Sequence, residues 1–315
     1  MMRCIILKFW TRFNNQQTKV LESLSEKKQI GMSKIRSVTN PFFINGERAM
    51  VSLGPLNDAV HCSYRCAFCY VLDEFISYAS LDIERIITFL KKHRGEYNII
   101  YVSGDTDSFA PPRTQNGLDL LRAIVDEIDC DLEFSSRMVF SASEYAQLEK
   151  IINDQKNKGY RFYAGVSITR YSEDTQYLEP KPIPSPNARI AHIKYMKKLG
   201  AITMLGLRPF LPIVNVDDYI TILNKLHPDL DIALGECFYF IRNGKIQNRV
   251  FPNGISNEIE KDIIRNQKMD FDDNKSLWDI WNSEKYEKIV AEHCKKLGVI
   301  FSMHSAKAIE EYKKL

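Results

Sequence analysis

Cys62, Cys66 and Cys69 fall within eight residues, in the run His61-Cys62-Ser63-Tyr64-Arg65-Cys66-Ala67-Phe68-Cys69-Tyr70. Three thiolates on one short loop can ligate three irons of a [4Fe-4S] cluster and leave the fourth iron open to another ligand, whereas a fully ligated cluster mainly passes electrons. A structural zinc site usually takes four ligands in two close pairs. Only His61 is at hand as a fourth ligand, and it directly abuts Cys62. The remaining cysteines, Cys4, Cys130, Cys237 and Cys294, are isolated. An odd count of 7 and no secretory signal argue against a disulfide framework and for a reducing, cytoplasmic setting. Zinc and inert thiols remain the alternatives to the cluster.

A loop of this kind needs a scaffold, and the surrounding pattern alternates short β-branched runs with amphipathic helical stretches. Strands are predicted at 51–53, 98–102, 132–134, 161–168, 202–207 and 236–241, and helices at 82–93, 116–128, 143–154, 187–199 and 216–226. Strands joined by crossover helices imply a parallel sheet. About six βα units fit between 50 and 245, fewer than the eight of a closed barrel. The active face of such an architecture lies at the C-terminal ends of the strands, and the cysteine loop follows the first strand. Beyond 245 the chain turns polar. A helix is predicted at 277–297, with Trp278 and Trp281 at helical spacing, then a late strand at 299–301. The expected organisation is a loosely defined leader (1–40), a core (41–245) and a C-terminal extension packed on it (246–315).

The cysteine loop resembles that of the radical S-adenosylmethionine superfamily, and the later loops are nearest to its spore-photoproduct-lyase-like members. The resemblance implies a partial (βα)6 barrel with a C-terminal helical extension, and a [4Fe-4S] cluster on Cys62, Cys66 and Cys69 whose open iron binds S-adenosylmethionine. It implies reductive cleavage of that cofactor and hydrogen abstraction from a substrate by a 5′-deoxyadenosyl radical. It places Phe68 beside the adenine. Ser103-Gly104-Asp105 stands where many members carry Gly-Gly-Glu against the amino group of the cofactor. Thr106 to Pro111 matches the lyase-like Thr-Asp-Pro-Tyr-Gln-Pro in outline only. Arg137, in Ser135-Ser136-Arg137, takes the place of a lysine near the cofactor carboxylate, and Ser167 that of a ribose contact. Glu179 and Arg189 pair with each other or meet the cofactor, and Arg208, before Pro209, faces the site or the barrel rim. Cys237, expected on the sixth strand, is a candidate for a radical-relay thiol, with plain packing as the competing account.

Composition bounds the partners. Charged residues make up 26% of the 315, and the net charge is +3, too small to argue for nucleic acid by itself. No apolar run approaches the ~18 residues of a membrane helix. A small electron donor of flavodoxin or ferredoxin type is the partner the resemblance implies. The substrate is unidentified: a DNA lesion or nucleotide is one alternative, and a non-catalytic iron–sulfur or zinc redox module is another.

Overall fold

Eight strands form one sheet in the order β1-β2-β3-β4-β5-β6-β7-β11. The structure is a computed structural model that describes residues 42–45, 47–53, 62–69, 82–104, 106–269 and 276–315. The leader (1–40), His61 and Asp105 lie outside the described residues.

A hairpin of β1 (Phe42–Asn45) and β2 (Arg48–Val51) starts the sheet and supplies its antiparallel pair. From β2 onward every neighbour is parallel: β3 (Ile99–Val102), β4 (Asp131–Ser136), β5 (Phe162–Ser167), β6 (Ile202–Leu207), β7 (Ile232–Gly235) and β11 (Ile300–Ser302). The crossover helices are α1 (Ile83–Lys92), α2 (Thr114–Glu127), α3 (Ala142–Asn157), α4 (Pro186–Lys198) and α5 (Val216–Leu226). Their boundaries follow local chemistry. Asp82 caps α1 by accepting the Arg85 N–H, Ser141 and Glu144 form a reciprocal capping box on α3, and Ser185 caps α4 with Pro186 in its first turn.

Alternation along the strands separates two faces. Val51, Ile100, Val102, Leu132, Phe134, Ala164, Val166, Leu205 and Leu207 face the helices and form the main core. Ile99, Tyr163, Met204, Ile232 and Leu234 face inward and form a second, smaller cluster. The sheet curls toward closure: Arg48 on β2 donates to Ser305, just beyond β11. Helix α9 (Ser305–Tyr312) fills the gap. It packs Ala308 and Ile309 into the inward cluster, sets Tyr312 against Tyr163, and is followed by Lys313, which pairs with Asp131 at 2.7 Å. Because Asp131 and Tyr163 begin their strands, α9 plugs the N-terminal end of the barrel.

Three expectations are corrected. The sixth parallel strand is Ile232–Gly235, not 236–241; the aromatic run after it instead contributes β8 (Tyr239–Phe240) to a separate three-stranded sheet. The segment starting at 277 is not one helix. Trp278–Trp281 is strand β10, pairing with β8 and with β9 (Ile263–Gln267), and helix α8 (Glu284–Leu297) begins after it. An irregularity in register between Trp278 and Ile280 lets both tryptophans be buried, which mimicked helical spacing in the sequence. The late strand exists, but it is the seventh parallel strand of the main sheet, so the barrel is longer than six units. Between β8 and β9 lie two short helices, α6 (Lys245–Val250) and α7 (Asn257–Lys261).

Candidate active site at the C-terminal ends of the strands

The cysteine loop is fastened from two sides. The Ala67 N–H donates to the Leu178 carbonyl at 2.9 Å, in the loop after β5. Arg249 of α6 reaches back with Nε to the Ala67 carbonyl (2.9 Å) and Nη2 to the Cys69 carbonyl (3.2 Å). Arg65, at φ 49°, sits in the left-handed region that non-glycine residues seldom adopt. Tyr64 is buried, and its hydroxyl lies 3.4 Å from the Met138 sulfur.

Cys66 is buried, while Cys62 and Cys69 are half-buried. Burial pushes the Cys66 thiol up to about 12 against the pull of Arg137. Burial, with the Asp107 carboxylate beside it, pushes Cys62 up to about 11, although the N–H groups of Tyr64 and Asp107 point at its sulfur. Bare thiols here hold their protons at neutral pH, and a metal is what would make thiolates of them. Among the described residues, no three His, Cys, Asp or Glu side chains converge as they would on a single ion.

Behind the loop lies a buried charge network. Asp107, after β3, accepts from Ser136 Oγ at 2.9 Å, from the Arg137 N–H at 2.8 Å and from the Phe109 N–H at 2.9 Å, yet burial still raises its carboxyl above the usual range. Arg137, after β4, holds its guanidinium 5.5 Å from the Phe68 ring centre and its Nε 3.3 Å from Glu179 Oε1. Burial alone would lower Arg137, but Cys66, Glu179 and Asp107 outweigh it and raise it. Glu179 is the hub. Arg189 donates to both its oxygens, and Thr169 donates to Oε1 at 2.7 Å. Burial favours the neutral acid, but Arg189, Arg137 and Thr169 together hold Glu179 down to about 2. Arg189 also donates to the Ser167 carbonyl at 2.5 Å and is fully buried, so its guanidinium is committed to the protein.

Around the rim, Ser103 adopts φ 71°, stabilised by its Oγ accepting the Ser108 N–H at 3.0 Å. Next to it, a Cβ on Gly104 would come within 2.4 Å of Met50 Cε, so that position admits no side chain without displacement. Ser167 Oγ lies 3.5 Å from Ser135 Oγ on the inward face. Arg208 follows β6 on the same face, outside the Glu179 network. Cys237 lies beyond β7 rather than on it and meets Ser283 Oγ at 3.3 Å, so its bonded neighbour belongs to the C-terminal segment. The structure therefore brings together the cysteine loop, Phe68, Asp107, Arg137, Glu179 and Arg189, and leaves Arg208 and Cys237 apart. Arg249 escaped the sequence reading, because it sits in a helix with no sequence mark of its reach. Asp107 entered that reading only within the Thr106–Pro111 segment, with no sign of its place beneath the cysteine loop.

This architecture shares its fold with solved structures of a spore photoproduct lyase and of SuiB. Among solved structures, a spore photoproduct lyase variant with bound AdoMet and dinucleoside spore photoproduct matches at TM-score 0.55 and 13% identity, over 76% of this chain and 73% of that one. Streptococcus suis SuiB bound to precursor peptide SuiA matches at TM-score 0.55 and 9% identity, over 87% of this chain and 52% of that one, so the chain spans about half of SuiB. At these identities the likeness is one of fold. No protein-family model matches the chain, and no curated protein matches it. No helix among the described residues is long and apolar enough to cross a membrane.

Proposed function

We propose that this protein is a radical S-adenosylmethionine enzyme, with Cys62, Cys66 and Cys69 holding a [4Fe-4S] cluster. The observation that carries the reading is three thiols on one fastened loop at the C-terminal ends of the parallel strands of this barrel. Bound there, the cluster and S-adenosylmethionine would supply reductive cleavage and a 5′-deoxyadenosyl radical for hydrogen abstraction.

This chain's own residues bind, orient and shield. Phe68 offers an apolar face beside the loop, under the Arg137 guanidinium. Ser103, Gly104 and Ser167 present small polar groups and bare backbone at the rim, where an adenosine and an amino acid tail need hydrogen bonds and close approach. Arg137 supplies the cation for a carboxylate. Arg189 acts as a positioning residue: it fixes Glu179, which fixes Arg137. Asp105 belongs with the cofactor-facing loop by sequence. Cys237 as a relay thiol has the weaker case, because its sulfur is spent on Ser283. The protein orients, and the cofactors carry the hard chemistry. A small flavodoxin- or ferredoxin-type donor would supply the electron, in the cytoplasm.

Anaerobic reconstitution tests the proposal. Four irons per chain and formation of 5′-deoxyadenosine under a strong reductant are the expected results. A zinc-loaded protein, or a cluster that cleaves no S-adenosylmethionine, would instead establish the redox or zinc module. A DNA-lesion or nucleotide substrate has no charge argument in its favour at +3.

A further inference from the structure

Inside the barrel the inward face carries charge that the cofactor reading leaves unused. Glu133 on β4 is 2% exposed, and its Oε2 has no hydrogen-bond partner. Arg208, two strands along, is half-buried, and its Nε is likewise buried without a partner. The two do not satisfy each other. Tyr101 on β3 and Tyr163 on β5 flank Glu133 in register, the Tyr163 hydroxyl is also buried without a partner, and Arg48 holds its guanidinium 5.4 Å from the Tyr101 ring centre and is anchored on Ser305. A buried carboxylate without a hydrogen bond is costly, and folded proteins seldom keep one without a use. Apolar residues occupy comparable inward positions elsewhere, at Ile99, Met204, Ile232 and Leu234. Asp131, the other inward carboxylate of β4, is paired with Lys313, whereas Glu133 keeps an oxygen without a hydrogen bond.

The inward face above Glu133 runs up β4 to the candidate active site. Ser135 is two residues further up the same strand and Arg137 four, which at the rise of a strand puts Arg137 about 13 Å above Glu133. Gly165 and Gly206 flank Ser135 and Ser167 in register and present no side chain. Below, α9 closes the interior with Ala308 and Ile309.

We propose that Glu133 and Arg208 form the substrate subsite of this barrel, and that the substrate is a compact molecule carrying both a basic nitrogen and an acidic group. The inference rests on the enzyme reading above. Glu133 accepts from the basic nitrogen, Arg208 takes the acidic group, and the reacting carbon lies between them and the cysteine loop. Burial raises the Glu133 carboxyl while Arg48 and Arg208 oppose that rise, and a cationic ligand would add to that opposition. The closed lower end and the short climb to the rim argue for a molecule of amino acid size over a polymer.

The test is thermal stabilisation of the reconstituted protein by a probe panel: the common free amino acids and O-phosphoethanolamine, with n-butylamine and propionate as single-charge controls. At least one zwitterion should raise the midpoint where neither control does. E133Q and R208Q should each weaken its apparent affinity by roughly thirtyfold or more, as expected when one partner of a buried charged hydrogen bond is removed. Panel-wide silence, or shifts that persist in both variants, would each overturn the subsite. Iron content and 5′-deoxyadenosine formation by the same wild-type sample judge the enzyme reading separately, so either claim can fail alone.

Discussion

Replacing Glu179 by glutamine should unsettle the site and the fold together. Glu179 is fully buried and accepts from Arg189, Arg137 and Thr169. Glutamine keeps the shape but removes the charge, and its amide N–H groups then oppose guanidinium donors. The buried Arg189 and Arg170 and the half-buried Arg137 are left without their counterion. Breaking a buried ion pair by removing one partner costs about 3–5 kcal/mol. That is a large part of the ~5–15 kcal/mol by which proteins are stable. At about 2 °C per kcal/mol for a chain of this size, the midpoint should fall by roughly 6–10 °C. Circular dichroism under anaerobic conditions at matched scan rates would measure it. The double variant E179Q/R189Q should lose clearly less than the sum of the single losses, because each single change strands one member of the fully buried Glu179–Arg189 pair while the double variant removes both. The acid limb gives a second reading. The folded Glu179 sits at about 2 against an ordinary value of 4.5. Its stabilisation is therefore present above pH ~4.5 and lost as pH falls from there toward ~2, and in E179Q this part of the acid slope should vanish. Additive single losses, or a midpoint within a degree of wild type, would refute the view of Glu179 as the hub.

Other expectations are simpler. Alanine at Cys62, Cys66 or Cys69 should abolish reconstituted iron and its absorbance, whereas C237A should retain both; equal retention across all four would sink the cluster assignment. R249Q should leave the barrel folded but shed iron faster to a chelator, since the Ala67 and Cys69 carbonyls lose their donor. His192 is buried against Tyr145 (2.6 Å), and burial lowers it from 6.5 to about 3. The unfolded chain therefore binds the extra proton first, and stability should fall as pH drops from ~6.5 toward ~3. H192N should flatten that limb between pH 6.5 and 4.5, where Glu179 does not yet contribute, and an unchanged slope in urea titrations would contradict it.

Much of the scaffold is readable in the sequence because its elements are driven by short-range rules. Ile83, Ile86, Ile87 and Leu90 at helical spacing, the Ser185-Pro186 cap, and the alternation from Phe162 to Ile168 each express one local rule. The sixth strand was misplaced because Ile232-Ala233-Leu234-Gly235 is short and plain, while Phe238-Tyr239-Phe240-Ile241 carries the stronger β signal. The tryptophans misled because a strand irregularity can bury residues three apart. In the site, the cysteine spacing announces itself, and the Glu179–Arg189 pair is legible as one of two options. What stayed hidden depends on tertiary placement. Nothing beside Arg249 says that it will grip the cysteine loop, and Glu133 stands out only once its strand face is known to point inward.

The seventh parallel strand also has a consequence for assembly. Ile300 lies 68 residues beyond its β7 partner Ile232, and the small three-stranded sheet is folded from the chain between them. Until β11 docks, β7 presents an open edge of unpaired N–H and C=O groups, with Ile232 and Leu234 on its inward face. Distant pairings of this kind form late, since loop closure must precede any gain from contact. The vulnerable moment in this protein's life is then the interval when the barrel is one stave short, and a chaperone or a crowded neighbour would meet it at β7.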